Sequence, residues 1–305
     1  PGQTPRKAMT LGLQGTLAAW LANAAQIADA GSQGGERSDS VHQLRVALRR
    51  TRVLLSVFAD ALPEVSPQGA EDLEPPLEDA VAQAFRDLGR YRDQDVLNTL
   101  IGGPLHAGGY SLPPLAVTDD AGAGLSASVR SLAFTDTALR VLLATASAAE
   151  DEASAAGPAL HNPPSVQSHA ERDRPGPSLR RWARRGLARE WKRFARDAKH
   201  FAALEADEQH RVRKRAKRLR YALDFTRSLF PARRVERFLV ALAKAQDALG
   251  VYTDVLMGQE HLRRRPLDDA AAAFARGWLS ARREVTLKAC EQPLRRLLKM
   301  PPPWG

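Results

Sequence analysis

Two stretches of this 305-residue chain hold histidine and cationic residues at one repeated spacing. His42, Arg45, Arg49 and Arg52 recur at i, i+3, i+7 and i+10, and His210, Arg213, Lys217 and Arg220 do the same. At about 100° per residue, each set occupies one helix face about 80° wide. Leu44, Leu48, Thr51 and Leu55 form an apolar stripe on another face of the first helix. Val212, Ala216, Leu219 and Leu223 do so on the second. Neighbours in such a column lie roughly 5–6 Å apart, and the column runs about 15 Å along the axis. Like charges held this closely repel. A linear string of anions laid along them would remove the repulsion and accept charge-assisted hydrogen bonds. Arginine offers a fork that fits two phosphate oxygens, lysine a point charge, and a neutral histidine one donor. Arg50 and Arg218 sit beside the columns. Neither column contains Asp, Glu or Cys, so no metal and no cofactor is expected.

Other cations are secondary candidates. Arg185, Arg189, Lys192, Arg196 and Lys199 form a stripe at i, i+4, i+7, i+11 and i+14, opposite Leu187, Trp191, Phe194, Ala198 and Phe201. This stripe either extends the anion surface or is a solvated outer face. Arg86, Arg90 and Arg92 are weaker candidates. Arg92 with Asp93 and Asp95 also reads as a helix-end salt-bridge cluster, the reading favoured for the two aspartates.

The elements that must position these residues are helical. Ala, Leu and Arg dominate, apolar residues recur at 3–4 spacing, and no period-2 strand stands out. The fold class is all-α. Helices are expected at roughly 8–30, 38–62, 68–101, 125–153, 178–204, 206–230, 232–260 and 267–299. Gly31–Gly35 reads as a loop, Pro63 and Gly102-Gly103-Pro104 as helix ends, and 105–124 as a long loop. The Pro-rich stretch near 154–177 reads as a linker. It separates two four-helix repeats, 8–153 and 178–305, of one domain spanning 8–305.

The repeats echo each other. His42/His210, Arg45/Arg213, Arg50/Arg218, Arg52/Arg220, Leu55/Leu223 and Pro63/Pro231 are identical at an offset of 168 residues. Leu88-Gly89 and Tyr91 then reappear as Leu249-Gly250 and Tyr252. A duplicated four-helix unit explains both echoes, and two bundles about a pseudo-twofold axis is the natural arrangement. Two matched columns facing each other would make a groove or channel for a linear polyanion.

Composition narrows the classes further. The chain has 45 Lys+Arg against 35 Asp+Glu, a formal charge of +10, with 44% hydrophobic residues. Uniform disorder is excluded. The charge is segregated: residues 66–157 carry 5 basic and 14 acidic side chains, whereas 172–237 carry 22 and 8. That bias implies an anionic partner. One cysteine, Cys290, excludes an intramolecular disulfide and a multi-Cys zinc site. No apolar run approaches the ~18 residues of a membrane span, and residues 1–10 hold no signal-peptide core, so a cytoplasmic protein with no membrane partner is expected.

At its two motifs the sequence resembles the CHAD family (conserved histidine α-helical domain). The carrying residues are His42, Arg45, Val46, Arg49, Arg50 and Arg52, then His210, Arg213, Lys214, Lys217, Arg218, Arg220 and Tyr221. The Leu-Gly…Asp-Val stretches at 88–96 and 249–255 and the tail Pro301-Pro302-Pro303-Trp304 also fit. The resemblance implies two four-helix bundles around a basic central pore. It also implies binding of inorganic polyphosphate without catalysis, and association with polyphosphate granules and polyphosphate-metabolising proteins. Members are often fused to a triphosphate-tunnel domain; none is recognised in this sequence, so any catalytic partner would be a separate chain. Thr51 departs from the family's usual leucine and is expected to weaken one core contact. Two other functions compete. Backbone binding of DNA or RNA fits the charge, but no nucleic-acid-binding signature accompanies it. A phosphotransfer histidine beside Arg45 would need a donor and an acid/base partner, and no Walker A loop or nucleophile elbow is present.

Overall fold

The structure, a computed structural model, describes residues 4–29, 34–61, 76–88, 93–110, 120–155, 178–263 and 269–305. The described residues form ten α-helices and no strand. They are α1 (Pro5–Ala28), α2 (Gly34–Val57), α3 (Leu77–Asp87), α4 (Asp93–Ala107), α5 (Asp120–Val129), α6 (Leu132–Ala155), α7 (Leu179–Ala198), α8 (Ala206–Thr226), α9 (Ala232–Arg263) and α10 (Asp269–Leu298). The all-α expectation holds. Pro63 and most of the expected 154–177 linker lie outside the described residues.

Three local expectations are corrected. The third expected helix, 68–101, is two helices, α3 and α4, and the fourth, 125–153, is α5 and α6. Gly102-Gly103-Pro104 does not end a helix. It lies inside α4, with Pro104 in the helical run. The local penalty of two glycines and a proline is a few kcal/mol at most. Burial of Ile101 and Leu105 against α9 and α10 outweighs it. The helix stops at Gly108-Gly109 instead. Gly109 has φ +81. The Tyr110 amide donates to the Leu105 carbonyl at 2.9 Å and the Gly109 amide to the His106 carbonyl at 3.0 Å, a Schellman cap that needs glycine at the left-handed position. Residues 105–124 are thus helical at both ends rather than one long loop.

The chain divides into two compact units. Unit 1 comprises 1–85 and 126–186, and unit 2 comprises 86–125 and 187–305. The α4 region therefore belongs with the C-terminal helices, packing on α9 and α10.

In unit 1, α1 packs on α2 and α6. Met9, Leu13, Leu17, Trp20, Ala24 and Ile27 recur at helical spacing and are buried. Trp20 meets Phe134 edge to face at 5.2 Å. Thr51 is fully buried, yet its hydroxyl reaches the Ala47 carbonyl at 3.1 Å and lies 3.0 Å from the Thr16 hydroxyl on α1. The position where leucine was expected thus ties α1 to α2 by polar contact. The N-terminal part of α7 closes this unit: Trp182 packs on Phe58 at 4.6 Å and donates from Nε1 to Asp60 at 3.1 Å. Gly186 lets the helix approach, since a Cβ there would meet Phe58 at 2.6 Å.

In unit 2, α9 packs on α8, α4 and α10. Phe238, Leu242, Ala245, Leu249, Tyr252 and Val255 form its buried face. Trp304, in the Pro-rich tail, packs on Trp191 at 6.5 Å and on Phe238 at 5.4 Å. The tail is therefore part of the core of this unit.

Candidate functional site

The first column lies on α2 in unit 1. Its apolar stripe, Leu44, Leu48, Thr51 and Leu55, is buried. That burial fixes the rotation of the helix and so sets the direction of the cations. His42 and Arg50 are exposed, while Arg45, Arg49 and Arg52 are half-buried. The three arginines gather at one ring. Their guanidinium carbons lie 4.4, 5.0 and 5.9 Å from the centroid of Phe85 on α3. Arg45 Nη1 also donates to the Phe85 carbonyl at 3.4 Å. A guanidinium over an aromatic ring gains cation–π attraction while keeping its N–H donors for other partners.

The second column lies on α8 in unit 2, where Val212, Ala216, Leu219 and Leu223 are buried. A capping box fixes the start of α8. Glu205 accepts from the third helical amide, and Glu208 takes the Glu205 amide at 3.4 Å. Gln209 then anchors the first turn, accepting from the Tyr252 hydroxyl at 2.6 Å and donating to the Phe201 carbonyl at 3.1 Å. This column is held by α9 and by α8 itself. Arg213 Nη2 lies 3.5 Å from Asp254. Arg220 donates to Gln246 at 3.2 Å and lies 3.8 Å from Asp224. Gln246 in turn donates to the Ala216 carbonyl at 2.8 Å.

His210 is half-buried beside Lys217. Burial first, then Lys214, Arg213 and Lys217, lower its pKa from 6.5 to about 4, with Asp207 opposing. It is therefore neutral at pH 7 and supplies one N–H donor beside a cluster of fixed positive charge.

The structure treats the remaining candidates unequally. Arg218, placed beside the column by sequence, reaches across to α7, where its Nη1 lies 3.8 Å from Glu190. Glu190 is 2% exposed and also accepts from Arg193 at 3.1 Å. Arg218 thus ties α8 to α7, as does Arg215, which pairs with Asp197. Arg185, Arg189, Lys192 and Arg196 on α7 and Lys199 just beyond its end are all exposed, and Arg196 pairs with Asp197 at 2.9 Å. Arg90, Arg92 and the side chains of Asp93 and Asp95 lie outside the described residues. Among the described residues, no group of three or more His, Cys, Asp or Glu is placed to hold a metal. No helix among them is long and apolar enough to cross a membrane.

Sequence reasoning missed the residues behind the cations: Phe85, Asp254, Gln246 and Glu190. A signal existed for two of them. Leu88/Leu249 and Tyr91/Tyr252 stand 161 residues apart, and the same offset pairs Phe85 with Gln246. Both positions face their own basic column.

Fold and site define an all-helical protein that carries two His/Arg/Lys helices, one in each unit. The CHAD domain family model matches residues 12–263, which include both columns. The chain belongs to the CHAD domain family, a domain associated with polyphosphate binding. It is similar in fold to the crystal structure of the CHAD domain from the plant Ricinus communis. That match has a TM-score of 0.67 at 23% identity and covers 96% of this chain and 92% of the other. No curated protein matches.

Proposed function

We propose that the protein binds inorganic polyphosphate without transforming it. The cations of the two columns are the contacts, and the basic channel expected from the family resemblance is the form of the site. The observation that carries this reading is the pair of cation clusters. Each sits on a helix whose rotation is fixed by a buried stripe, and most of its members are half-buried: Arg45, Arg49 and Arg52 in the first, His210, Arg213 and Lys217 in the second. Half-buried cations are screened less by solvent than exposed ones, so an anion gains more from them. Arginine and lysine at this spacing suit a repeating phosphate better than a single small anion. The bound chain carries one negative charge per phosphoryl unit, and counterions are released as it docks, which makes the affinity fall steeply with salt. On this reading the protein acts in the cytoplasm at polyphosphate granules, beside polyphosphate-metabolising proteins.

The test is titration of long-chain polyphosphate into the wild type and a variant with Arg45, Arg49, Arg213 and Lys217 changed to Glu. Loss of binding with an unchanged thermal melt supports the reading. Unchanged affinity sinks it. Phosphate release from polyphosphate in the presence of Mg²⁺ would sink the non-catalytic part alone.

A further inference from the structure

Helix α6 is apolar on two opposite faces. With Leu132 at 0° and about 100° per residue, Phe134, Thr137, Ala138, Val141, Ala144 and Thr145 fall at roughly 120–240°. All six are buried, on the face that meets the core of unit 1. Leu139, Leu142 and Leu143 fall with Leu132 on the other side, at roughly 280–20°. That side is in water: Leu132 is 89% exposed and Leu143 60%, and Leu139 and Leu142 are about half exposed, as is Leu21 on the adjoining α1. Leu132, Leu139, Leu142, Leu143 and Ala146 stand three, four and seven residues apart, the spacing of a coiled-coil seam. A helix apolar all round is one that lies between partners. Its inner face has α1 as a partner.

The outer face also has a depression. An apolar groove of about 280 Å³ runs between α1 and α6, with Leu17, Leu21, Phe134, Ala138, Leu139 and Leu142 in its walls. An apolar cavity of about 150 Å³ already takes a benzene-sized guest, so a leucine side chain fits here.

Area and charge select the occupant. The five leucines leave on the order of 500 Å² of apolar surface in water, towards the upper end for the largest patch on a monomer. Two such faces together reach roughly the 1,000 Å² that a specific interface needs. Asp136 and Arg140, 4.0 Å apart, stand at one edge of the stripe, and the groove forms the other edge. In an antiparallel pair about a twofold axis, each edge meets its own copy. A register centred at residue 138 then sets Asp136 of each copy level with Arg140 of the other, which makes two opposite-charge contacts. The same register lays Leu139 beside its own copy and Leu132 beside Leu143 of the second copy. A parallel pair would set the charged edge against the apolar groove instead.

We propose that the outer face of α6, with Leu21 of α1, is a self-association surface on which a second copy of this chain docks with its α6 antiparallel. The association does not depend on the polyphosphate reading. Where both hold, two joined copies engage one long chain bivalently and gain avidity.

The experiment is sedimentation equilibrium of the full chain, without ligand, up to about 100 µM, since an interface of this size associates at roughly micromolar concentration. The wild type is expected to approach twice the chain mass. Leu139→Glu with Leu143→Glu should stay a monomer over the same range, with an unchanged melt because both side chains face water. Asp136→Arg should dimerise about tenfold more weakly, from two exposed pairs lost and two repulsions gained. Adding Arg140→Asp to Asp136→Arg should restore the wild-type dissociation constant. A wild type that is monomeric throughout overturns the proposal. So does a dimer unaffected by the two glutamates, or a charge swap as weak as Asp136→Arg alone. A monomer that takes an apolar dye into the groove, and loses it in Leu139→Glu with Leu143→Glu, overturns the second copy in favour of a small apolar ligand. If the double-glutamate variant fails to fold, the wild-type mass and the charge swap still decide.

Discussion

In unit 1 the guanidiniums of Arg45, Arg49 and Arg52 gather around the ring of Phe85. In unit 2, Arg213 and Arg220 lean on Asp254, Asp224 and Gln246. The cations of the two columns are alike in type and spacing, and an aromatic ring is in contact with one column while carboxylates and an amide are in contact with the other. A ring holds a cation by its quadrupole. A carboxylate holds it by charge and offsets part of that charge. The same row of cations can therefore be assembled by two kinds of support, with different consequences for a competing anion. Unit 2 adds a second difference. Its column helix α8 is tied to α7 through Glu190, which is 2% exposed and contacts both Arg193 and Arg218.

The largest expected effect comes from reversing one column at a time. Arg45→Glu with Arg49→Glu removes two charge-assisted contacts worth roughly 1.5–3 kcal/mol each, so polyphosphate affinity should fall by about 100-fold or more. Arg213→Glu with Lys217→Glu should cost less, because Asp254 already offsets part of Arg213. Equal losses would erase the distinction between the columns. A larger loss in unit 2 would reverse it.

Glu190→Ala probes the tie behind α8. Breaking a fully buried ion pair costs several kcal/mol, but Arg193 and Arg218 are 55% and 32% exposed and water can solvate them. A loss of about 1–2 kcal/mol is expected, read as a lower urea midpoint. A melt unchanged from the wild type would show that α8 does not depend on that anchor.

Gln246→Leu is smaller again. It removes the hydrogen bonds to Arg220 and to the Ala216 carbonyl, costing about 1 kcal/mol of stability. Polyphosphate affinity should change by a few-fold at most. A Gln246→Leu loss of affinity as large as that of Arg213→Glu with Lys217→Glu would contradict this minor role.

The finest distinction is in pH. The pKa of His210 is about 4 in the folded protein, below its ordinary 6.5. Between those values the unfolded chain binds more protons than the folded one, so stability is full above pH 6.5 and falls as the pH drops towards 4. His210→Gln should flatten that part of the stability profile. Docked phosphate raises the histidine's pKa, so binding should take up a proton in the same range and tighten as the pH falls. A pH profile identical in wild type and His210→Gln would show that the histidine is not coupled to either process.

Much of this was readable from residue pattern. Strong 3–4 periodicity located α1, α2 and α7 to α10, and the cations of both columns stood out because a face made of His, Arg and Lys is conspicuous. The break between α3 and α4 was hidden by the repeat itself. The stretch at Leu249–Tyr252 runs inside the continuous α9, whereas α3 ends at Asp87 and α4 begins at Asp93. Gly102-Gly103-Pro104 misled for the opposite reason: local propensity argued for a stop, and burial of Ile101 and Leu105 overrode it. Behind the columns, Phe85, Asp254 and Glu190 come from other helices, and no spacing within α2 or α8 points to them. Arg218 shows the limit of reading one helix at a time. Its angle put it beside the basic face, but the buried Glu190 that claims it lies on α7.

The central claim is that two rows of cations recognise a linear phosphate chain. Its most direct test is equilibrium titration with polyphosphates of graded length, beside orthophosphate and ATP, with duplex DNA as competitor at equal charge. The account predicts affinity that rises with chain length, weak binding of orthophosphate and ATP, and little displacement by DNA. Affinity independent of length, or displacement of polyphosphate by DNA at equal charge, would contradict it.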